Sequence, residues 1–89
     1  MSLQGKTALI TGSYAGIGYA TAGKLAAAGC TVVLHGIEKI HDGIAVAERL
    51  AAAHGAKVVY LRADLIVVEE IEFLMSEITA RFGGVDILV

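Results

Sequence analysis

Between the apolar run Ala8-Leu9-Ile10 and a stretch of helical composition lies Thr11-Gly12-Ser13-Tyr14-Ala15-Gly16-Ile17-Gly18, a segment with three glycines. No other feature limits the fold as strongly, because it makes the chain pass from strand to helix through one tight turn. Gly12 permits the sharp turn, a bare Gly16 lets a ligand approach the backbone, and Gly18 lets the helix pack close to the strand. Backbone N–H groups at a helix start, aided by the helix dipole, suit a pyrophosphate. A glycine-rich turn gains this meaning only when it follows a strand and opens a helix inside a βαβ unit. The alternative, a structural turn with Gly/Ala helix packing, stays open at this point.

The rest of the chain supplies that context. A helix end, a glycine and a β-branched run recur at residues 24–34, 49–61 and 81–89. Glycine at such a stop accepts a left-handed backbone. No fixed period holds, so alternating strands and helices are expected rather than a solenoid. The pattern predicts strands over about 6–11, 31–35, 57–62 and 85 to the end, with helices over about 17–28, 42–54 and 67–82. Asp42 is expected to cap the second helix. In the third, Val68, Ile71, Leu74, Met75, Ile78 and Phe82 recur at helical spacing, and Glu69, Glu70, Glu72 and Glu77 mostly occupy a solvated face. The strands are continuous apolar runs, as in a parallel sheet covered on both faces. Right-handed crossovers then give an α/β, doubly wound β-α-β-α-β-α-β arrangement. No Pro/Ser-rich linker marks an internal boundary, so residues 1–89 are expected to form part of a single domain.

Composition excludes several classes. The 89 residues are 56% hydrophobic with mean hydropathy +0.71. A chain of this length buries only about 60–65% of its unfolded surface, so it carries more apolar sequence than it can cover alone. One cysteine rules out an intrachain disulfide as compensation. A net charge of −2 without a basic run gives no phosphate-tracking surface, so no nucleic-acid partner is expected. The uncharged stretch Thr7–Gly23 carries Thr, Ser and four Gly, too polar for a membrane span. Ala20-Thr21-Ala22 looks like a signal-peptidase site, but Thr11-Gly12-Ser13 breaks the apolar region before it. The expectation is a cytoplasmic, reducing location with no membrane partner. Cys30, His35, His41 and His54 lack compact ligand spacing, so no metal site is expected.

In combination, the motifs resemble the short-chain dehydrogenase/reductase family. The resemblance rests on Gly-x3-Gly-Ile-Gly preceded by Thr11, Leu3-x-Gly5-Lys6 before the first strand, Ala63-Asp64-Leu65 after the third, and Asp86-Ile87-Leu88-Val89. It covers essentially the whole chain. Within the family the sequence is similar to D-3-hydroxybutyrate dehydrogenases, through Thr-Gly-Ser-x-x-Gly-Ile-Gly, Val33-Leu34-x-Gly36 and Ala-Ala-x-His54-Gly55-x-Lys57-Val58. The resemblance implies a Rossmann-type fold and a cofactor site drawn from Gly12, Ser13, Tyr14, Gly16, Ile17, Gly18, His35, Gly36, Asp64 and Leu65. In the family an aspartate like Asp64 contacts the adenine, with Leu65 beside it; Ser13, with no neighbouring base, reads as a phosphate contact rather than a nucleophile. NAD-using members often end strand two with an acid that binds the ribose diol. Here His35-Gly36-Ile37 fills that place and Glu38 follows slightly late. NADP-using members often set Arg or Lys before the middle glycine, where this chain has Ala15; Lys39 is a candidate phosphate partner, although a lysine in such a loop is more often simply solvated. NAD(H) is therefore expected over NADP(H).

The resemblance also implies hydride transfer between nicotinamide and a hydroxy/oxo substrate, with 3-hydroxybutyrate one candidate. The family's Tyr-x-x-x-Lys pair is not found: Tyr14, Tyr19 and Tyr60 are followed four residues on by Gly18, Gly23 and Asp64. No catalytic residue is therefore assigned, and the stretch reads as a cofactor-binding N-terminal part cut before its catalytic half. Full-length members commonly form dimers or tetramers, implying a homo-oligomer. Two other readings stay open, a non-catalytic dinucleotide-binding or interaction module and an inactive truncated remnant.

Overall fold

The computed structural model describes residues 3–89. Seven elements follow one another: β1 (Thr7–Ile10), α1 (Gly16–Ala27), β2 (Thr31–Gly36), α2 (Ile40–His54), β3 (Val58–Arg62), α3 (Val68–Phe82) and β4 (Ile87–Leu88). The four strands form one parallel sheet in the order β3-β2-β1-β4. This is the expected α/β arrangement, with element ends shifted by one or two residues.

Successive side chains on a strand point to opposite faces, and here both faces are covered. Ala8, Ile10, Val32, Leu34 and Tyr60 pack with Ala22, Ala26, Val46, Ala47 and Leu50 of α1 and α2. Leu9, Val33 and Leu61 pack with Leu74 and Ile78 of α3. Two-sided burial explains why β1 and β2 are apolar at nearly every position rather than at alternate ones.

The start of α2 corrects one expectation. Asp42 does not cap it; the helix begins at Ile40 after Lys39, and no side chain caps it. The N–H groups of Asp42 and Gly43 already donate to the Lys39 carbonyl, each at 3.1 Å, so the first turn has closed before Asp42 could precede it. Its carboxylate lies instead in the first helical turn, where the dipole favours an anion, 3.0 Å from Nε2 of His41. At the other end α2 stops on left-handed Gly55, and α3 likewise on Gly83.

The sheet reverses its winding at β1. From there the chain runs through α1 to β2 on one side, and α3 later delivers β4 to the other. Asp86 fixes the arrival of β4: its Oδ2 accepts from the Thr7 N–H at 2.8 Å, and its own N–H donates to the Thr7 carbonyl at 2.9 Å. At the opposite end Thr11 donates through both N–H and Oγ1 to the Val89 carbonyl, at 3.0 Å each. Ligands of open parallel sheets bind in the crevice that opens where strand order reverses. The glycine turn sits there.

Candidate dinucleotide site

The turn is built so that its backbone stays available. Gly12 (φ 58°) and Gly16 (φ 66°) both adopt left-handed backbone with open space where a Cβ would stand. An L side chain at either would be strained for conformational reasons alone. Gly18 is there for space: a Cβ would lie 2.6 Å from the Gly12 oxygen and 2.9 Å from Ser13 Cα, both backbone atoms that cannot move aside. The contact that forbids a side chain at Gly18 is thus with the turn itself, and it holds the helix start against the strand end.

The first turn of α1 is uncapped. Ala15 at its N-cap offers no side-chain acceptor, and no acidic residue lies in that turn. The first N–H groups of a helix have no partners within it. At a helix start such N–H groups suit an anion.

Below the surface, Ser13 and His35 lock the turn to β2. Ser13 is fully buried, its Oγ donating to the Ile10 carbonyl at 2.7 Å and accepting from the His35 N–H at 2.9 Å. The Ser13 N–H donates to the His35 carbonyl at 2.9 Å. The hydroxyl expected to touch phosphate is turned inward and serves the scaffold. His35 is also buried; its Nδ1 accepts from the Gly12 N–H at 3.1 Å. That fixes the neutral ring with its proton on Nε2, which donates to the Ala63 carbonyl at 2.8 Å. Three strand ends thereby share one imidazole.

A cavity of about 270 Å³ opens above this lock, lined by Gly12, Tyr14, Ala15, His35, Gly36, Ile37 and Glu38. Among the expected site residues, Gly12, Tyr14, His35 and Gly36 meet here. Gly16, Ile17 and Gly18 form the adjacent helix start, with Ile17 87% exposed. Asp64 lies beyond β3, one residue past the carbonyl that His35 binds. Asp64 Oδ1 accepts from the Ile66 N–H at 3.1 Å, and its N–H donates to Glu70 Oε1 at 2.8 Å. Glu70, expected only on a solvated face, thus holds the loop carrying Asp64 and half-exposed Leu65.

Glu38, slightly late in the sequence for the acid that ends strand two and not among the expected site residues, comes back toward Gly36 through the turn after β2. A larger groove of about 400 Å³ runs along the free edge of β3 between α2 and α3, past Ile40, Ile44 and Phe73. It contains none of the glycine-turn residues; Glu48, Arg62, Glu77 and Arg81 also line it, with Arg81 and Glu77 paired at 3.1 Å. The smaller cavity is the candidate site. Among the described residues no group of three or more His, Cys, Asp or Glu side chains is placed to hold a metal ion, and no helix is long and apolar enough to cross a membrane.

A parallel sheet with an uncapped, glycine-bounded helix start at its switch point defines a dinucleotide-binding fold. Residues 6–89 match the family model described as short chain dehydrogenase. The chain belongs to the short-chain dehydrogenase family, oxidoreductases that bind a nicotinamide dinucleotide.

Similar proteins include D-beta-hydroxybutyrate dehydrogenases. That of Cupriavidus necator is 44% identical over 87 residues, 98% of this chain and 33% of the relative. That of Rhizobium meliloti is 42% identical over 84 residues, 94% of this chain and 33% of the relative. A 3-oxoacyl-[acyl-carrier-protein] reductase of Aquifex aeolicus is 43% identical over all 89 residues, 36% of its own length. Among solved structures, L-sorbose reductase from Gluconobacter frateurii, complexed with NADPH and L-sorbose, superposes with TM-score 0.91 at 33% identity, over 99% of this chain and 33% of the reductase. The chain therefore spans about a third of the length of the relatives it matches.

Proposed function

We propose that these residues form the cofactor-binding front part of a longer short-chain dehydrogenase, with catalysis carried by the remaining two-thirds. The observation that carries this reading is the uncapped start of α1, reached through the left-handed Gly12 and Gly16, beside the cavity beyond the ends of β1 and β2. The residues fit a dinucleotide: N–H groups without partners for its pyrophosphate, a bare approach at Gly16, and an acceptor in the adjoining cavity. When bound, the dinucleotide supplies the nicotinamide that gives or takes hydride at a hydroxy/oxo carbon.

The chain's own residues bind and orient. The N–H groups at the start of α1 hold the pyrophosphate, with Gly16 and Ile17 at its entrance. Ser13 and His35 keep the turn rigid from below, so the donors are fixed before the ligand arrives. Tyr14, Gly36 and Glu38 border the adenosine ribose, and Asp64 with Leu65 borders the adenine. Ala15 brings no cation for a 2′-phosphate, which supports NAD(H) over NADP(H).

3-Hydroxybutyrate is the substrate to test first, because the D-beta-hydroxybutyrate dehydrogenases are 42–44% identical over this stretch. Exposed Val68, Met75, Leu88 and Val89 favour cover by further chain. The corresponding assembly is a homo-oligomer in the cytoplasm, in keeping with a lone, buried Cys30. The test is calorimetric titration of the natural gene product with NAD⁺ and NADP⁺, followed by an assay with 3-hydroxybutyrate. Saturable binding supports the cofactor site, and reduction of NAD⁺ supports the substrate. Binding of neither dinucleotide would refute the site.

A further inference from the structure

The peptide bond that leads the chain out of β3 toward α3 is held from both edges. Its carbonyl, on Ala63, accepts from His35 Nε2 at 2.8 Å, and its N–H, on Asp64, donates to Glu70 Oε1 at 2.8 Å. In a trans peptide these two groups point in opposite directions, so the imidazole and the carboxylate grip one rigid plane between them. Ala63 is fully buried, and its own N–H donates to the Gly36 carbonyl at 3.1 Å. The sheet therefore fixes the chain as far as the Ala63 carbonyl, and Glu70 fixes the group that follows.

Glu70 lies in the first turn of α3, where a carboxylate commonly turns back to the N–H of the residue that caps the helix. That donor is already engaged: the Val67 N–H donates to the Asp64 carbonyl at 3.0 Å. Glu70 reaches past it to the Asp64 N–H instead. Arg62, whose Nε donates to the Ile37 carbonyl at 3.1 Å, brings Nη1 to 3.8 Å from the same Glu70 oxygen. An exposed ion pair of that length contributes little, so the hydrogen bond to Asp64 carries the restraint and Arg62 orients it. Oδ1 of Asp64 accepts from the Ile66 N–H at 3.1 Å, which leaves Oδ2 without a hydrogen bond among the described residues.

We propose that Glu70 is a positioning residue for the base of the cofactor: by fixing the Ala63–Asp64 peptide it aims Asp64 Oδ2 at the exocyclic amino group of the adenine. This rests on the dinucleotide site proposed above, with Asp64 at the adenine. Without the Glu70 carboxylate the plane is held at its carbonyl alone, the Asp64 N–H turns to water, and the free acceptor loses its fixed direction. The role belongs to the carboxyl oxygen rather than to its charge, because the group it holds is a neutral backbone donor.

Calorimetric titration of the natural gene product tests it without turnover, with NAD⁺ and nicotinamide hypoxanthine dinucleotide as probes. The second probe carries an oxygen acceptor where adenine has its amino donor, so it cannot satisfy Oδ2. The native protein should prefer NAD⁺ by about tenfold or more, the scale of one hydrogen bond to a charged group. Glu70→Ala should bring the two affinities within about threefold, chiefly by a loss for NAD⁺. Glu70→Gln keeps an oxygen that accepts the Asp64 N–H and should hold the ratio within about twofold of native. In an Asp64→Ala background, Glu70→Ala should leave the ratio unmoved. A Glu70 that serves only the stability of α3 would instead lower the unfolding midpoint and both affinities alike, with the ratio kept. That result, equal native affinities, or a ratio that collapses equally in Glu70→Gln or still moves without Asp64, would overturn the proposal. Binding of neither probe by the native protein would refute the dinucleotide site itself.

Discussion

Nδ1 of His35 accepts the Gly12 N–H at 3.1 Å, while Nε2 of the same ring donates to the Ala63 carbonyl at 2.8 Å. One neutral imidazole at the end of β2 thus joins the glycine turn to the exit of β3. Phenylalanine would fill a similar volume and satisfy neither contact. His35→Phe should therefore cost about 1–3 kcal/mol, mainly from the buried Ala63 carbonyl left without its donor, and should weaken dinucleotide binding as the turn loosens. Urea unfolding and calorimetry check the two effects separately.

Gly18 and Gly16 should answer alanine differently. At Gly18 the new methyl meets backbone of Gly12 and Ser13, so α1 must move away from the turn. Gly18→Ala should lose about 1–3 kcal/mol and at least about tenfold in dinucleotide affinity. At Gly16 the space is open and only the left-handed backbone resists, giving a smaller loss of about 1–2 kcal/mol. Paired denaturation curves show whether Gly18→Ala is the more harmful for binding.

Gly43→Ala should behave as a remote lesion of the ribose end. The methyl would occupy the position of the Tyr60 ring, so the ring must withdraw and its hydroxyl must leave Glu38. Overpacking of this kind costs about 1–3 kcal/mol. The melting temperature should fall, although Gly43 borders no part of the cavity.

Alkaline pH should destabilise the fold through two protons. Burial pushes the Cys30 thiol above its ordinary range, and the Asp86 carboxylate pushes it further. Burial likewise raises the Tyr60 phenol, with the Glu38 charge adding to it. In both cases the folded chain holds a proton that the unfolded chain has begun to release. Their contribution is complete below pH ~8.5 and declines as pH rises, from Cys30 first and from Tyr60 above pH ~10. Stability measured from pH 8 to 11 should fall monotonically. Cys30, 1% exposed, should resist iodoacetamide at pH 8 until the protein is unfolded.

The order of elements could be read from the sequence because each strand is a short apolar run between a glycine stop and a turn. Gly55 and Gly83 do end their helices, and Leu74 and Ile78 do face the sheet. Val68 and Met75 share the apolar pattern of α3 yet are 63% and 40% exposed, because periodicity says which residues are apolar and not what covers them. The start of α2 was misplaced because Asp42 is a common capping residue, whereas Lys39 caps through its backbone carbonyl. Ser13 and His35 were expected among the cofactor contacts, but residue type does not show whether a polar group turns toward ligand or scaffold. Glu38 stands slightly late in the sequence for the acid that ends strand two, and its approach to Gly36 goes with a clamp on that turn by Tyr60 and Arg62 of β3.

The most direct test of the account is an amide NMR titration of the ¹⁵N-labelled natural gene product with NAD⁺. The account predicts saturable shifts concentrated in the amides of residues 12–18, with a second group at 36–38 and little change along the β3 edge groove. Saturable binding that leaves residues 12–18 unperturbed would contradict it.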